Sequence, residues 1–578
     1  MSSGERSHGF STHRFAEILA TAVALLVVSS AVVTPVAGAV APGSSANTSA
    51  TQTKTISSCP KAPITQSGVY TLTSNLTNST ADGCIEIDAS DVVIDGNGHT
   101  LTGTGEGNLS AFYASSAVAP QKGTPGIENV TIKNVRAEGW TRSVWVRRAS
   151  DVTVTDSHLR DGLRGVVFYK VNDSSVTDVT ATQFAEGVVF WTARNTTVAR
   201  NNLSDNDGRG IHVGAYPFEN SSSRRVRIVN NTLNHNFLFG AFVSQASEYT
   251  TIENNTAVGN RLNGINVTNG SDHTAVADNT VLDTTGDVGA PFGQPSGIAV
   301  SDSKHVKVVG NTVQNNSGNG INVTDTRKFP ENSSSVTVTS NSVRGNALHG
   351  IRVEGSPQTG IGNNTIVANR LGGILLEDSP ASLLSNNDVS AHLKRADNTS
   401  TGLELRGDYR NVNVFDNGFQ DNWVGVEVAN GSHGPAIRSN RIETNNYAGV
   451  LLEAGAPANR VQIHNNNLGG NVEYGVYNHE DNAVVNATGN YWGEASGPSS
   501  NSSDSDAPFE DPDTGALASG NGSAVSEGST AGVSNVQFDP AKNASAATGS
   551  SPGFTPATVV VALLALALLA LRPREESD

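Results

Sequence analysis

The chain has 578 residues, is rich in Gly (59) and Asn, and carries 54 Asp and Glu against 37 Lys and Arg, for a net charge of −17. That acidity argues against a nucleic-acid partner, because displacing phosphate counterions takes a basic stripe. Length alone would allow several domains, but it is a weak guide for a repetitive chain.

The first element in chain order is a secretory signal peptide, residues 1–39. Arg6 and Arg14 lie in a polar start, an apolar run follows from about Phe15 to Val33, and Val36-Ala37-Gly38-Ala39 supplies small residues for cleavage after Ala39. Residues 40–55 read as a short linker. The only cysteines, Cys59 and Cys84, are expected to form a disulfide in an exported chain. Closing a loop of about 25 residues is worth roughly 3 kcal/mol.

A repeat then dominates the chain. A small residue followed by apolar–any–apolar recurs at Ser143, Gly165, Gly187, Gly210, Gly240, Gly264, Gly297, Gly320, Gly350, Gly373, Gly402, Gly425, Gly449 and, degraded, Gly475. The base period is 22–24 residues, with insertions in some turns, notably 215–224 and 328–334. Each period offers three short strands bounded by Gly, Asn, Asp and Ser, and no helical periodicity. Such a unit cannot bury its apolar set alone, whereas stacked turns paired in parallel can. Asn recurs at one corner, at 202, 231, 255, 279, 311, 341, 364, 387, 417, 440, 466 and 490. Asn tolerates the left-handed backbone of a sharp corner, and stacked amides can hydrogen-bond along the ladder. The predicted fold is all-β: a right-handed parallel β-helix solenoid of about 16 turns over residues 56–500, with an N-terminal cap. The turn at Gly475 and the following Asn490-Tyr491-Trp492-Gly493 read as a C-terminal cap that blocks end-to-end pairing, so a monomer is expected.

Two opening segments, Val69-Tyr70-Thr71-Leu72 and Val93-Ile94-Asp95-Gly96-Asn97-Gly98-His99, together with the closing Asn490-Tyr491-Trp492-Gly493 and 533–540, carry a family resemblance. The chain resembles the right-handed parallel β-helix proteins grouped with pectate lyases and with NosD-type accessory proteins of nitrous-oxide reductase. The resemblance spans roughly 56–540 and is specific for fold, since this fold hosts lyases, hydrolases, adhesins and binding proteins.

Residues 501–550, rich in Ser, Gly, Ala, Asn and Asp, read as a flexible stalk, apart from the short match at 533–540. Ser551-Pro552-Gly553-Phe554-Thr555, the apolar run 557–571 and Arg572-Pro573-Arg574 resemble the PGF-CTERM sorting signal of archaeal surface proteins. That resemblance implies removal of the tail 551–578 by an archaeosortase and attachment to lipid. A permanent single-pass anchor is the alternative, although the run is short of the roughly 20 residues that span a bilayer. Either places the chain on the outer face of the cytoplasmic membrane. Asn-x-Ser/Thr acceptors such as Asn75, Asn129, Asn195, Asn266 and Asn486 make glycosylation an expectation, although corner Asn and strand Thr also generate the motif by chance.

The register yields candidate site residues. Residues two and four after the small residue point outward. On that face lie aromatics, Trp145, Tyr169 and Trp191, then carboxylates, Glu354, Glu377, Glu404, Glu427 and Glu453, with Arg352 and Arg406 among them. Aromatics stack on sugar rings, and carboxylates with arginines hydrogen-bond hydroxyls. The main expectation is a non-catalytic surface protein that binds polysaccharide or a surface glycoprotein through Trp145, Tyr169, Trp191, Arg352, Arg406 and Glu453. The alternative at the site is that the aromatics pack under a loop and the acids are solvated charge. A second functional reading is a polysaccharide lyase or glycoside hydrolase using Glu354, Glu377, Glu404 or Glu427. Acids stacked on adjacent turns approach ~5 Å, the separation used by retaining glycosidases, and one of each pair should have a raised pKa. A third is NosD-type assistance in copper-enzyme maturation, for which the ligands are poor. Met1 is the only methionine, both cysteines are expected oxidised, and His212, His349, His464 and His479 fall on scattered turns. No metal site or cofactor is expected, calcium remaining open, although no Asp cluster falls on adjacent turns.

Overall fold

The computed structural model describes residues 53–545, except 78–82, 105–109, 116–125, 217–218, 220, 287–294, 326–334, 394–399, 432, 481 and 501–506. The signal peptide, nearly all of the linker, the insertion at 328–334 and the tail at 551–578 lie outside the described residues. The described residues belong to one compact unit.

One turn shows how the sequence makes the fold. Thr337–Thr339, Ser342–Arg344 and His349–Glu354 are three strands of a single coil, each burying its central or alternate apolar residues. The next turn repeats them as Gly360–Gly362, Thr365–Val367 and Gly372–Glu377. All three pairs are parallel and in step, Val338 opposite Ile361, Val343 opposite Ile366 and Ile351 opposite Ile374. The inward side chains therefore stack on their own counterparts, giving a continuous core of Val, Ile, Leu and Phe along the solenoid. At roughly 1.5–3 kcal/mol per fully buried aliphatic or aromatic side chain, stacking is the main stabilising term. Cys59 and Cys84 are joined, with Cα atoms 4.7 Å apart, and tie the first strands to the N-terminal turn.

The Asn column forms a buried ladder. Asn311 donates from its backbone N–H and from Nδ2 to Asn341 Oδ1 at 2.9 and 3.0 Å, and Asn341 repeats both bonds to Asn364. Two sequence-based details change. The first rung is Asn201, buried, while Asn202 is exposed. The left-handed backbone belongs to the residue before each ladder Asn, as at Ser340 (φ 58°), Asn363 (54°) and Asn386 (56°), which frees the Asn amide to point inward. A second buried ladder escaped the reading of the sequence: Asn206, Asn236 and Asn260, then Asn316, Asn346 and Asn369. His392 continues it, with Nδ1 2.8 Å from Asn422 Oδ1.

The C-terminal segment departs from the expected stalk. Gly522–Val525 pairs with the strand Tyr474–Asn478, and Val536–Gln537 pairs with Val485–Asn486. Phe509, Ala518, Val525, Val536 and Phe538 are buried against the core. Trp492 is fully buried, as expected of a cap residue, but it is itself overlain: the chain at 507–545 returns to cover the last coil. Its few apolar residues, spaced among Ser and Gly, suffice because each fills a prepared layer. Asp511 anchors this return by accepting backbone N–H bonds from Asp513, Thr514, Phe538 and Asp539.

Candidate functional site

The outward columns form one long face, and the expected register holds there. Glu354 lies opposite Glu377, and Glu404 opposite Glu427. The two carboxylate pairs nevertheless differ in kind. Arg352 extends between the first pair, 2.8 Å from Glu354 and 3.5 Å from Glu377, so a cation separates the two acids. Arg406 instead reaches Glu404, its neighbour two residues back, and among the described residues Glu427 has no ion pair.

The environment of Glu427 is less polar than that of the other acids. Leu451 stands opposite it on the next turn, and Val424, Ala448 and Leu451 form a buried apolar cluster edged by Trp423, Tyr447, Tyr474 and Tyr477. Burial, reinforced by the charges of Glu404 and Glu453 and only partly offset by Arg406, pushes the Glu427 carboxyl up to about 8. Burial also raises Glu404, against the opposing Arg406. Both carboxyls of this stacked pair are thus raised, where one of the two was expected to be. Nearby, burial together with Arg352, Arg406 and His392 lowers His349 to about 4, leaving it a neutral imidazole.

Aromatic side chains continue this strip toward the C-terminus. Trp423 and Tyr447 stack with centroids 5.5 Å apart and planes 5° apart, and Tyr474 stacks on Tyr477 at 4.6 Å. Burial and the surrounding phenols and acids push Tyr447 up to about 12, so its hydroxyl stays a donor. Trp423, Tyr447 and Tyr474 were missed in the sequence. They sit one or two residues before the small residue, on columns that the two-and-four rule does not include.

The early aromatics correct an expectation. Tyr169 and Trp191 are 5% and 6% exposed, and cluster with Val167, Val189 and the partly buried Trp145. The insertion after Gly214 folds back, placing Tyr216 4.8 Å from Tyr169 and 5.1 Å from Trp191. Tyr169 donates its hydroxyl to Glu219, and Lys170 reaches the same carboxylate at 3.0 Å. Two of the three expected sugar platforms are thus covered by a loop whose path the repeat does not encode.

Around them lies a cluster that the sequence did not reveal. Glu186 is bound by Arg164 at 2.8 Å, Arg209 at 2.7 Å and His212 Nδ1 at 2.8 Å. Burial would raise its pKa, but the His212 hydrogen bond and the charges around it prevail and hold the carboxyl ionised, near 2. Arg164 and Arg209 also precede the small residue, which is why the outward columns overlooked them.

Among the described residues no group of three or more His, Cys, Asp or Glu is gathered as for a metal ion. No helix among them is long and apolar enough to cross a membrane.

A parallel solenoid with one decorated face defines the class of protein. Residues 121–281 and 329–491, more than half of the chain, match the family described as right handed beta helix region, and the chain belongs to that family. No curated protein matches it in sequence. Among solved structures, a mutant of the periplasmic alginate epimerase AlgG is 14% identical over 67% of this chain and 78% of its own, with a TM-score of 0.33. The A-module of a mannuronan C-5 epimerase from Azotobacter vinelandii is 15% identical over 73% of this chain and 91% of its own, at 0.27. PfbA, a surface adhesin of Streptococcus pneumoniae, is 10% identical over 64% of this chain and 84% of its own, at 0.34. Likeness at this level says nothing about the chemistry of the face.

Proposed function

We propose that the chain is an exported, surface-held rod that binds polysaccharide along the strip from Arg352 to Tyr477 without cleaving it. The observation that carries this reading is the strip itself. Over successive turns it alternates groups that donate, the Arg406 guanidinium, the protonated Glu427 and the Tyr447 hydroxyl, with the accepting carboxylates Glu404 and Glu453. Half-buried rings of Tyr447 and Tyr477 border it. A sugar chain presents the matching alternation of hydroxyls and apolar ring faces, and a periodic face suits a periodic ligand. The net negative charge of the strip favours neutral sugars over acidic ones. The sequence signals at 1–39 and 551–578 support export and retention at the outer membrane face, with archaeosortase processing of the tail.

The test is retention on a panel of immobilised neutral polysaccharides, with parallel assay of released ends. Binding without cleavage, weakened about tenfold or more by Tyr447→Ala and Tyr477→Ala together, is the expected result. Equal retention of the variant refutes it. A second reading, hydrolysis, is favoured by one observation: Glu404 and Glu427 are stacked carboxyls of which one holds a proton at neutral pH. New reducing ends that vanish in Glu427→Gln would establish that reading instead.

A further inference from the structure

Another side of the coil, near its N-terminal end, carries a cavity that the strip does not explain. Thr100–Thr102, Arg136–Glu138, His158–Arg160 and Thr180–Thr182 pair in register on consecutive turns, so their outward side chains fall into two columns. The same columns run on to Ser342 and Arg344, on the strand before the one that bears Arg352. The middle two turns hold long side chains and the outer two only threonines. Between the long side chains lies a cavity of about 210 Å³, with Thr100 at one end and Thr180 and Thr182 at the other. Its floor is the strand at Ala137 and Leu159, whose side chains turn into the core and are each 1% exposed. That is room for one sugar ring.

The columns differ in which groups are already paired. In one, Arg160 Nε stands 3.3 Å from Glu138 and 3.0 Å from Asp161, and Thr102 donates its hydroxyl to Glu138 at 3.4 Å. In the other, Arg136 and His158 are adjacent and exposed, and neither side chain has an ion-pair or hydrogen-bond partner among the described residues. The hydroxyls of Thr100, Thr180 and Thr182 are unengaged as well. All of these groups line an open cavity, so a ligand can reach each of them.

A guanidinium without a carboxylate stands out in a chain of net charge −17. It fits an oxyanion, which arginine binds through two parallel N–H bonds. Glu138 limits the charge of that ligand, because a carboxylate across the cavity repels a dianion but accepts bonds from neutral hydroxyls. The threonines bond hydroxyls without any charge. The lining therefore matches one anionic group on the Arg136 side and hydroxyls on the Glu138 side.

We infer that this cavity binds a single sugar unit bearing one oxyanion, paired with Arg136 and with a ring N–H of His158, while its hydroxyls bond Glu138 and the threonines. The site is independent of the strip and opposite to it in charge preference. A carboxylate and a sulfate share the required chemistry, and the experiment separates them.

The test is ligand-observed NMR titration of the full chain with galactose, galacturonate and galactose 6-sulfate, which share one ring and differ at C6, with inorganic sulfate as a competing bare anion. The expected result is that at least one charged sugar binds about tenfold or more tighter than both galactose and inorganic sulfate, weakening with salt. Which charged sugar binds tighter names the oxyanion. Arg136→Gln, at an exposed position, should reduce the charged sugars to the affinity of galactose without lowering the melting temperature. Equal affinity for galactose and both charged sugars overturns the inference without any variant. So does inorganic sulfate binding as tightly as the charged sugars, which would make the cavity an anion site with no use for the ring. An undiminished preference in the Arg136→Gln protein overturns it too.

Discussion

Glu427→Gln should make the protein more stable in alkali and leave it nearly unchanged in acid. In the unfolded chain the carboxyl titrates near its ordinary value of 4.5, whereas in the fold it titrates near 8. Between those values the folded protein holds a proton that the unfolded chain has released, so stability falls as pH rises through the window and is fully lost above 8. At about 1.4 kcal/mol per tenfold change in binding, the wild type forfeits up to ~5 kcal/mol by pH 9. Glutamine reproduces the protonated carboxyl in shape and in donor character, and so escapes this loss. The urea midpoints of the two proteins should then coincide near pH 4 and separate progressively to pH 9. Because a solenoid unfolds by neighbouring turns and not as one unit, amide exchange in the strand Val424–Gly431 gives the local reading. Parallel pH profiles for variant and wild type would mean that Glu427 ionises normally, and the apolar setting attributed to it would be wrong.

Asn341→Ala should remove the acceptor of two buried bonds from Asn311 and strand the buried carbonyl of Val308 and the partly buried one of Thr339. A loss of several kcal/mol, about 3–5, is expected in denaturant midpoint, with early exchange confined to turns flanking that rung. His392→Asn restores the amide that the rest of the second ladder uses. Burial lowers His392 to about 4 despite its bond to Asn422, so the wild type loses stability as pH falls from 6.5 to about 4, by up to ~3 kcal/mol, and the variant should not. Melting curves at pH 4 and 7.5 check this. Truncation after residue 506 should expose the layer under Phe509, Val525 and Phe538 and the open edge of Tyr474–Asn478, giving self-association by light scattering. A dispensable stalk would leave the truncated chain monodisperse.

Much of this molecule follows from the period of its sequence. A small residue followed by alternating apolar positions every 22–24 residues admits one solution, because only stacking in register buries all those side chains together. The corner Asn ladder and the disulfide are legible for the same reason: each depends on residues whose spacing is the repeat or a short loop. The outward columns were also legible, and with them the facing pairs Glu354–Glu377 and Glu404–Glu427.

What the period does not encode, the tertiary structure decided. Whether Arg352 swings between two acids, or Arg406 leaves one of them alone, depends on side-chain reach across neighbouring rungs. The insertion after Gly214 could have pointed anywhere; it lies on Tyr169 and Trp191 because two apolar rings on adjacent turns offer it burial. The Arg164–Glu186–Arg209 cluster was hidden because its residues precede the small residue, where the chain bends and strict alternation ends. The return of 507–545 onto the last coil was hidden because a composition of Ser, Gly and Asp reads as loose chain when nothing in it repeats. Local pattern specifies a solenoid turn, but only contact between distant turns and loops determines which part of its face is open, which is covered and which bears charge.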